Sequence, residues 1–353
     1  MARRSELFGV IENVPVYRHI LENRDGTEAA FIDYGARVQS IRTADRAGTI
    51  EEVTLGFDTI DRYMSDRDYL GATIGRCANR IDRGRFSIAD RRYQLDLNNG
   101  PHHLHGGTEG FHRRLWRYEE SAGSSSTVAF SLVSHDGDQG YPGELTVQVA
   151  YTLTELSELH IEFTAATSAR TPVNLTNHCY WNLNNSHDGT ILDHQLQLDC
   201  SAYLPVDSTL IPTGEIRSVE NTPMAFLRPT DIGSRFELVQ GGYDHCYLRD
   251  YDGENSVSAE PVRIATLTSG ASGRVLEIAT TKSATQFYTG NFLDGLIGRG
   301  GAPYRRYAGL CLEPQYPPDS INQGFCPEIP LVPEQVYRHH IVLRFLTVQD
   351  KEG

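Results

Sequence analysis

The chain has 353 residues, with 46 Asp and Glu against 32 Lys and Arg, for a formal net charge of −14. No block of Lys and Arg is available to displace counterions from a phosphate backbone, which argues against a nucleic-acid partner. Hydrophobic residues at 39% and charged residues at 22% place it among packed proteins rather than disordered ones.

In chain order, the N-terminus MARRSELFGVIENVPVYRHI has no continuous apolar run and no small-residue cleavage site, so it does not read as a secretory signal. No stretch reaches the roughly 18 apolar residues that a membrane span needs, so no membrane association is expected. The segment DTIDRYMSDRDYL at 58–70 is the best helical candidate. Period-two alternation then dominates. Val128, Phe130 and Leu132 mark one strand, and Leu145, Val147, Val149 and Tyr151 a second. Leu159, Ile161 and Phe163 mark a third, and Ile341, Leu343 and Phe345 the last. Turn-forming clusters such as HDGDQGYPGE and SGASG separate such runs. A Gly/Arg-rich stretch at 290–309 reads as a long surface loop, and PPDSINQ as a short helical turn.

There is no βαβ rhythm and no fixed repeat. Strands one face wet and one face buried predict an all-β protein, a large antiparallel β-sandwich with few short helices. No low-complexity linker divides it, so residues 1–353 are expected to form one domain. Cys77, Cys179, Cys200, Cys246, Cys311 and Cys326 are scattered, with no CxxC pair. They are expected to be reduced thiols in a cytoplasmic protein.

Several segments carry polar residues that interrupt otherwise foldable pattern. Glu313 emerges directly from the apolar Leu310-Cys311-Leu312. A strand-end Glu facing solvent fits that position, and so does a carboxylate entering an apolar site with its pKa raised, which suits general-base work. His178 lies in the Thr/Asn-rich TPVNLTNHCYWNL at 171–183 and fits a core histidine as well as a catalytic one. Arg80 in GRCANRI at 75–81 is either a surface ion pair or a clamp for hydroxyls or carboxylates. His103, His105 and Glu109 reproduce the HxHxxxE part of a cupin metal motif. The glycine and proline frame of that motif is missing and no matching later histidine follows, so no metal is assigned.

Taken together and in order, GRCANRI, LNNGPHHLHGG, TPVNLTNHCYWNL, AYLPVDSTLIPTGEI, DHCYL, QFYTGN and LEPQYPPDSIN resemble the aldose 1-epimerase (galactose mutarotase) family. The resemblance implies a large antiparallel β-sandwich with a cleft on one face. It also implies cofactor-independent interconversion of the α and β anomers of aldohexoses such as glucose and galactose. By the same resemblance Glu313 is the base at the C1 hydroxyl and His178 the acid at the ring oxygen. Arg80, His105 and Asp244 hold the sugar, with Asn79 and Gln286 lining the site and Tyr180 and Trp181 shaping its wall. Trp181 and Pro314 depart from the family pattern and could shift substrate preference. Free Glu titrates near ~4.3 and free His near ~6.5, and the nearby carboxylate is expected to push the imidazole upwards. A small-molecule sugar is the expected partner of a monomer or homodimer. The rival readings are a hexose phosphate or another cyclic hemiacetal as substrate, a non-catalytic sugar-binding module, and a metal-dependent isomerase.

Overall fold

In a computed structural model of the chain, which describes residues 1–120, 124–184, 189–250, 258–325 and 329–348, the alternation becomes a sheet. Along Leu145–Leu153 every second side chain is buried, while those between are half-buried or exposed. Glu158–Thr167 repeats the pattern, and the register sets Val149 opposite Phe163 and Ile161 opposite Ile341 of Tyr337–Thr347. The apolar sets of three successive strands therefore share one face. Each fully buried side chain of this kind contributes about 1.5–3 kcal/mol relative to exposure.

These strands belong to a nine-stranded sheet. Its order is Arg117–Glu119, Thr127–Ser134, Leu145–Leu153, Glu158–Thr167, Tyr337–Thr347, Arg274–Thr280, Val262–Ser269, His194–Leu198 and Thr230–Asp231. A five-stranded meander, Ala2–Ile11, Val14–Glu22, Glu28–Ile32, Arg37–Ala44 and Ile50–Glu52, forms a second sheet. A third runs Arg217–Ser218, Ala202–Leu204, Asp244–Leu248, Ala284–Tyr288 and Cys311–Gln315. Pairing within these sheets is antiparallel throughout. Their inner faces meet in one apolar cluster that takes Phe31 and Val38 from the second sheet, Val147 and Leu276 from the first, and Phe287 and Leu312 from the third.

Two local expectations are corrected. The helix at 58–70 is only Ile60–Met64. Ser65 turns its hydroxyl back onto the carbonyls of Asp61 and Arg62, and the Asp66 carboxylate then accepts the backbone N–H groups of Asp68 and Leu70, so the chain turns instead of continuing. The stretch at 290–309 is not a free surface loop. It folds into a small hairpin, Leu296–Ile297 with Pro303–Tyr304, and packs onto the meander sheet. Tyr304 is buried with its hydroxyl donating to the Gly56 carbonyl, and Arg299 pairs with Glu52 at 2.6 Å. PPDSINQ does carry a helical turn, Ser320–Gln323.

Cys77, Cys179, Cys200, Cys246 and Cys311 are free and buried, as expected of reduced thiols, whereas Cys326 lies outside the described residues. No helix among the described residues is long and apolar enough to cross a membrane.

Candidate active site

The third sheet and the loops above it enclose a cavity of about 660 Å³. Three of its residues come from strand periodicity. Gln286 stands directly opposite Glu313 on one side and Cys246 on the other, and Asp244 lies two positions before Cys246 on the same face. The result is a polar row, in which the Gln286 amide donates to the Asp244 carboxylate at 2.6 Å.

His178 follows the short strand Thr176–Asn177, and its backbone is fixed at both groups: its N–H donates to Ala72 and its carbonyl accepts from Gly71. Asn79, Arg80 and His105 arrive as one unit, because Arg80–Ile81 pairs with His103–Leu104. Asn79 and His105 both sit in the left-handed region, at φ 62° and 51°. They are locked to each other there: the Asn79 N–H donates to His105 Nδ1 at 3.1 Å, and the His105 N–H donates to the Asn79 carbonyl at 3.1 Å. Arg80 Nε donates to Asn99. All seven residues singled out from sequence, Glu313, His178, Arg80, His105, Asp244, Asn79 and Gln286, line this one cavity.

At its floor His178 Nε2 lies 3.7 Å from Glu313 Oε1, with both side chains almost wholly buried. Burial pushes the Glu313 carboxyl well above its ordinary range, and the neighbouring Asp244 charge adds to the effect while Arg80 opposes it. His178 is moved down to about 3, again chiefly by burial, with the Arg37 charge contributing. The expected upward push from the carboxylate is thus outweighed by loss of solvent. Both shifts disfavour the charged form of the group concerned. His178 Nδ1 faces the Cys311 sulfur at 3.5 Å, and burial keeps that thiol protonated.

His105 is likewise pushed well below its ordinary value by burial, with the Arg80 charge adding to the effect. Because its Nδ1 accepts the Asn79 N–H, its proton sits on Nε2, which makes it a hydrogen-bond donor to the cavity. The same fact bears on metal binding. Ligand atoms of His105, His178 and Glu313 lie within 4.8 Å of one another, but His105 lacks a free lone pair in this tautomer, so the donor set fits a metal poorly. The HxHxxxE reading fails for a second reason: the His103 ring lies between the Asp96 carbonyl and the Tyr141 hydroxyl and does not line the cavity.

Tyr180 lines the cavity, as expected, but Trp181 does not; it is buried against Phe345 in the core. Pro314 is also absent from the lining, since its strand neighbours Glu313 and Gln315 face the other way. Asp68, Tyr69, His112 and Phe292 were not singled out from sequence, although they complete the wall. The first two fell within the segment read as helix, where a periodic pattern concealed a turn.

A family model described as aldose 1-epimerase matches residues 17–344. The chain belongs to the aldose 1-epimerase family. Galactose mutarotase of Bos taurus is 42% identical over 323 residues, covering 91% of this chain and 92% of the relative. Aldose 1-epimerase of Escherichia coli K12 is 36% identical over 313 residues, covering 87% and 88%. Among solved structures, an aldose epimerase homologue from C. elegans superposes with a TM-score of 0.86 at 30% identity, covering 94% of this chain and 98% of its own. Galactose 1-epimerase from Lactobacillus acidophilus gives 0.82 at 26% identity, covering 98% of each chain. The antiparallel sandwich is therefore the fold of this epimerase family, and the chain is an isomerase by membership.

Proposed function

We propose that this enzyme interconverts the α and β anomers of free aldohexoses such as glucose and galactose, with Glu313 and His178 moving the protons. The observation that carries the reading is their approach to 3.7 Å on the floor of a cavity able to take a hexose. Mutarotation needs a base at O1 and an acid at O5, and both oxygens hang on one carbon, so the two groups must be close together.

Ring opening draws on the charged tautomer of the pair, Glu313 ionised and His178 protonated, which burial opposes and the Arg80 charge favours at the carboxylate. The carboxylate takes the O1 proton, the C1–O5 bond breaks as a C1 carbonyl forms, and Nε2 delivers its proton to O5. The pair then holds a neutral Glu313 and a neutral imidazole, the form that burial favours for each group. After rotation about C1–C2 the aldehyde recloses on its other face, with Glu313 returning the proton to O1 and His178 recovering one from O5. General acid–base assistance of this kind contributes about 10²–10⁴ in rate. Arg80 and His105 donate to sugar hydroxyls and Asp244 accepts, while Asn79 and Gln286 position them. The Gln286 Oε1 and Glu313 Oε2 atoms are buried without a hydrogen-bond partner among the described residues, which suits acceptors awaiting a sugar. Buried free thiols suit a reducing cytoplasm, which we propose as the compartment.

Polarimetry of fresh α-glucose and α-galactose tests the reading. Glu313→Gln, which mimics the neutral carboxyl in shape, is expected to lower kcat by about 10² or more while leaving Tm unchanged. A variant that turns over at the wild-type rate overturns the base assignment. Saturable galactose binding by the wild type without any acceleration would make it a binding module instead, and activity confined to a hexose phosphate would move the substrate class.

A further inference from the structure

The turn between the helix Ile60–Met64 and the strand Thr73–Ile74 forms one wall of the cavity through Asp66, Arg67, Asp68 and Tyr69. Tyr69 is held at φ 61°, a left-handed conformation that a bulky side chain avoids. Such a residue persists only where its surroundings over-determine it. Here they do. Asp66 and Arg37 form a fully buried ion pair at 2.8 Å. The Asp66 carboxylate accepts the N–H groups of Asp68 and Leu70, each at 2.9 Å, on either side of Tyr69. Arg37 donates to the Leu70 carbonyl at 2.7 Å, and the Tyr69 carbonyl accepts from Ala72.

What the turn presents is specific. The Tyr69 ring lies 4.7 Å from those of His105 and His112 and 5.7 Å from that of His178. All three imidazoles line the cavity, and Tyr69 itself remains half-buried. Its hydroxyl has no hydrogen-bond partner among the described residues, and burial raises the phenol to about 12, so the group stays an O–H donor.

We propose that Tyr69 is a further substrate-contacting residue, whose ring braces His105 and His178 and whose hydroxyl donates to a hydroxyl oxygen of the bound aldose. The Arg37–Asp66 pair is the positioning device that holds the turn in place. This rests on the reading of the cavity as an aldose site.

The two roles of the side chain separate experimentally. In a Glu313→Gln background, calorimetry reads galactose affinity without turnover. Adding Tyr69→Phe is expected to weaken binding about fivefold, the size of one net hydrogen bond. Among mono-deoxy galactoses, one is expected to bind the Tyr69 protein more weakly than galactose and the Tyr69→Phe protein no more weakly, which identifies the hydroxyl contacted. Equal affinities for every sugar overturn the contact. In the otherwise wild-type enzyme, Tyr69→Phe is expected to raise KM about fivefold, whereas Tyr69→Ala is expected in addition to lose about tenfold in kcat and to shift the His105 and His178 ring resonances. Unchanged kcat and resonances in Tyr69→Ala overturn the brace. A protein that binds galactose through Tyr69 yet never accelerates mutarotation would overturn the catalytic reading and leave this contact standing.

Discussion

The nine-stranded sheet and the five-stranded sheet beneath the cavity are built from the same pleat but solve different problems. In the larger sheet one face is apolar and the other is wet, as Leu145–Leu153 shows. In the smaller, Ala284–Tyr288 and Cys311–Gln315 are buried at every position. One side of these strands carries Phe287 and Leu312 into the core, and the other carries Gln286 and Glu313 into the cavity. The lesson is that burial is spent on packing in one sheet and on desolvating polar groups in the other. Losing a side chain from the first should cost stability and spare chemistry, and losing one from the site should do the reverse.

The largest effect expected from this contrast is at His178. His178→Asn removes the acid and is expected to lower kcat by about 10²–10⁴, measured by polarimetry. It also has a signature in stability. The folded imidazole titrates near 3 instead of near its ordinary 6.5, so between those values the unfolded chain binds the extra proton and stability falls as pH falls. Removing His178 should flatten the dependence of Tm on pH in that window while leaving it unaltered above pH 7. Buried His103 and half-buried His245, each lowered to about 4 chiefly by desolvation, maintain the remaining slope. An unchanged slope would mean that His178 is not desolvated as its burial implies.

The converse experiment belongs to the larger sheet. Leu276 in Arg274–Thr280 is fully buried in the main apolar cluster and does not line the cavity. Leu276→Ala is expected to lower unfolding free energy by about 2–5 kcal/mol in denaturant titration, with kcat and KM unchanged where the protein remains folded. A large change in kcat would mean that the two sheets are energetically coupled and would break the contrast.

The two regions were also unequally legible in the sequence. Alternation at Leu145–Leu153, Glu158–Thr167 and Tyr337–Thr347 predicts wetted strands directly, and there the pattern is realised in the sheet. The site strands lack that signal because both of their faces are buried, so their residues were found through motif order instead. The motifs located the polar groups that share the cavity but carried no information on solvent access. Hence the downward shift of His178 was missed although the carboxylate beside it was anticipated. Tyr69 was missed because Ile60, Tyr63 and Leu70 mimic helical spacing. What stops the helix is a capture by Asp66, whose partner Arg37 lies 29 residues upstream, beyond the reach of any local pattern.

The smallest effect expected is also the sharpest on where the boundary between the two regions runs. Within TPVNLTNHCYWNL the side chains alternate: His178 and Tyr180 face the cavity, while Cys179 and Trp181 enter the main apolar cluster. Trp181 exchanges backbone hydrogen bonds with Leu310, at 2.7 and 3.0 Å, and rests its ring 6.0 Å from that of Phe345. It therefore stands on the core side of the strand. Trp181→Phe should shrink a packed side chain and cost about 1–2 kcal/mol of stability, without changing the ratio of kcat/KM for glucose to that for galactose. The ratio is the discriminating measurement, because a residue in the wall acts on two epimeric sugars differently, whereas a residue behind the wall can act on them only alike. A shifted ratio would place Trp181 in the sugar's surroundings and move the boundary one residue further along the strand.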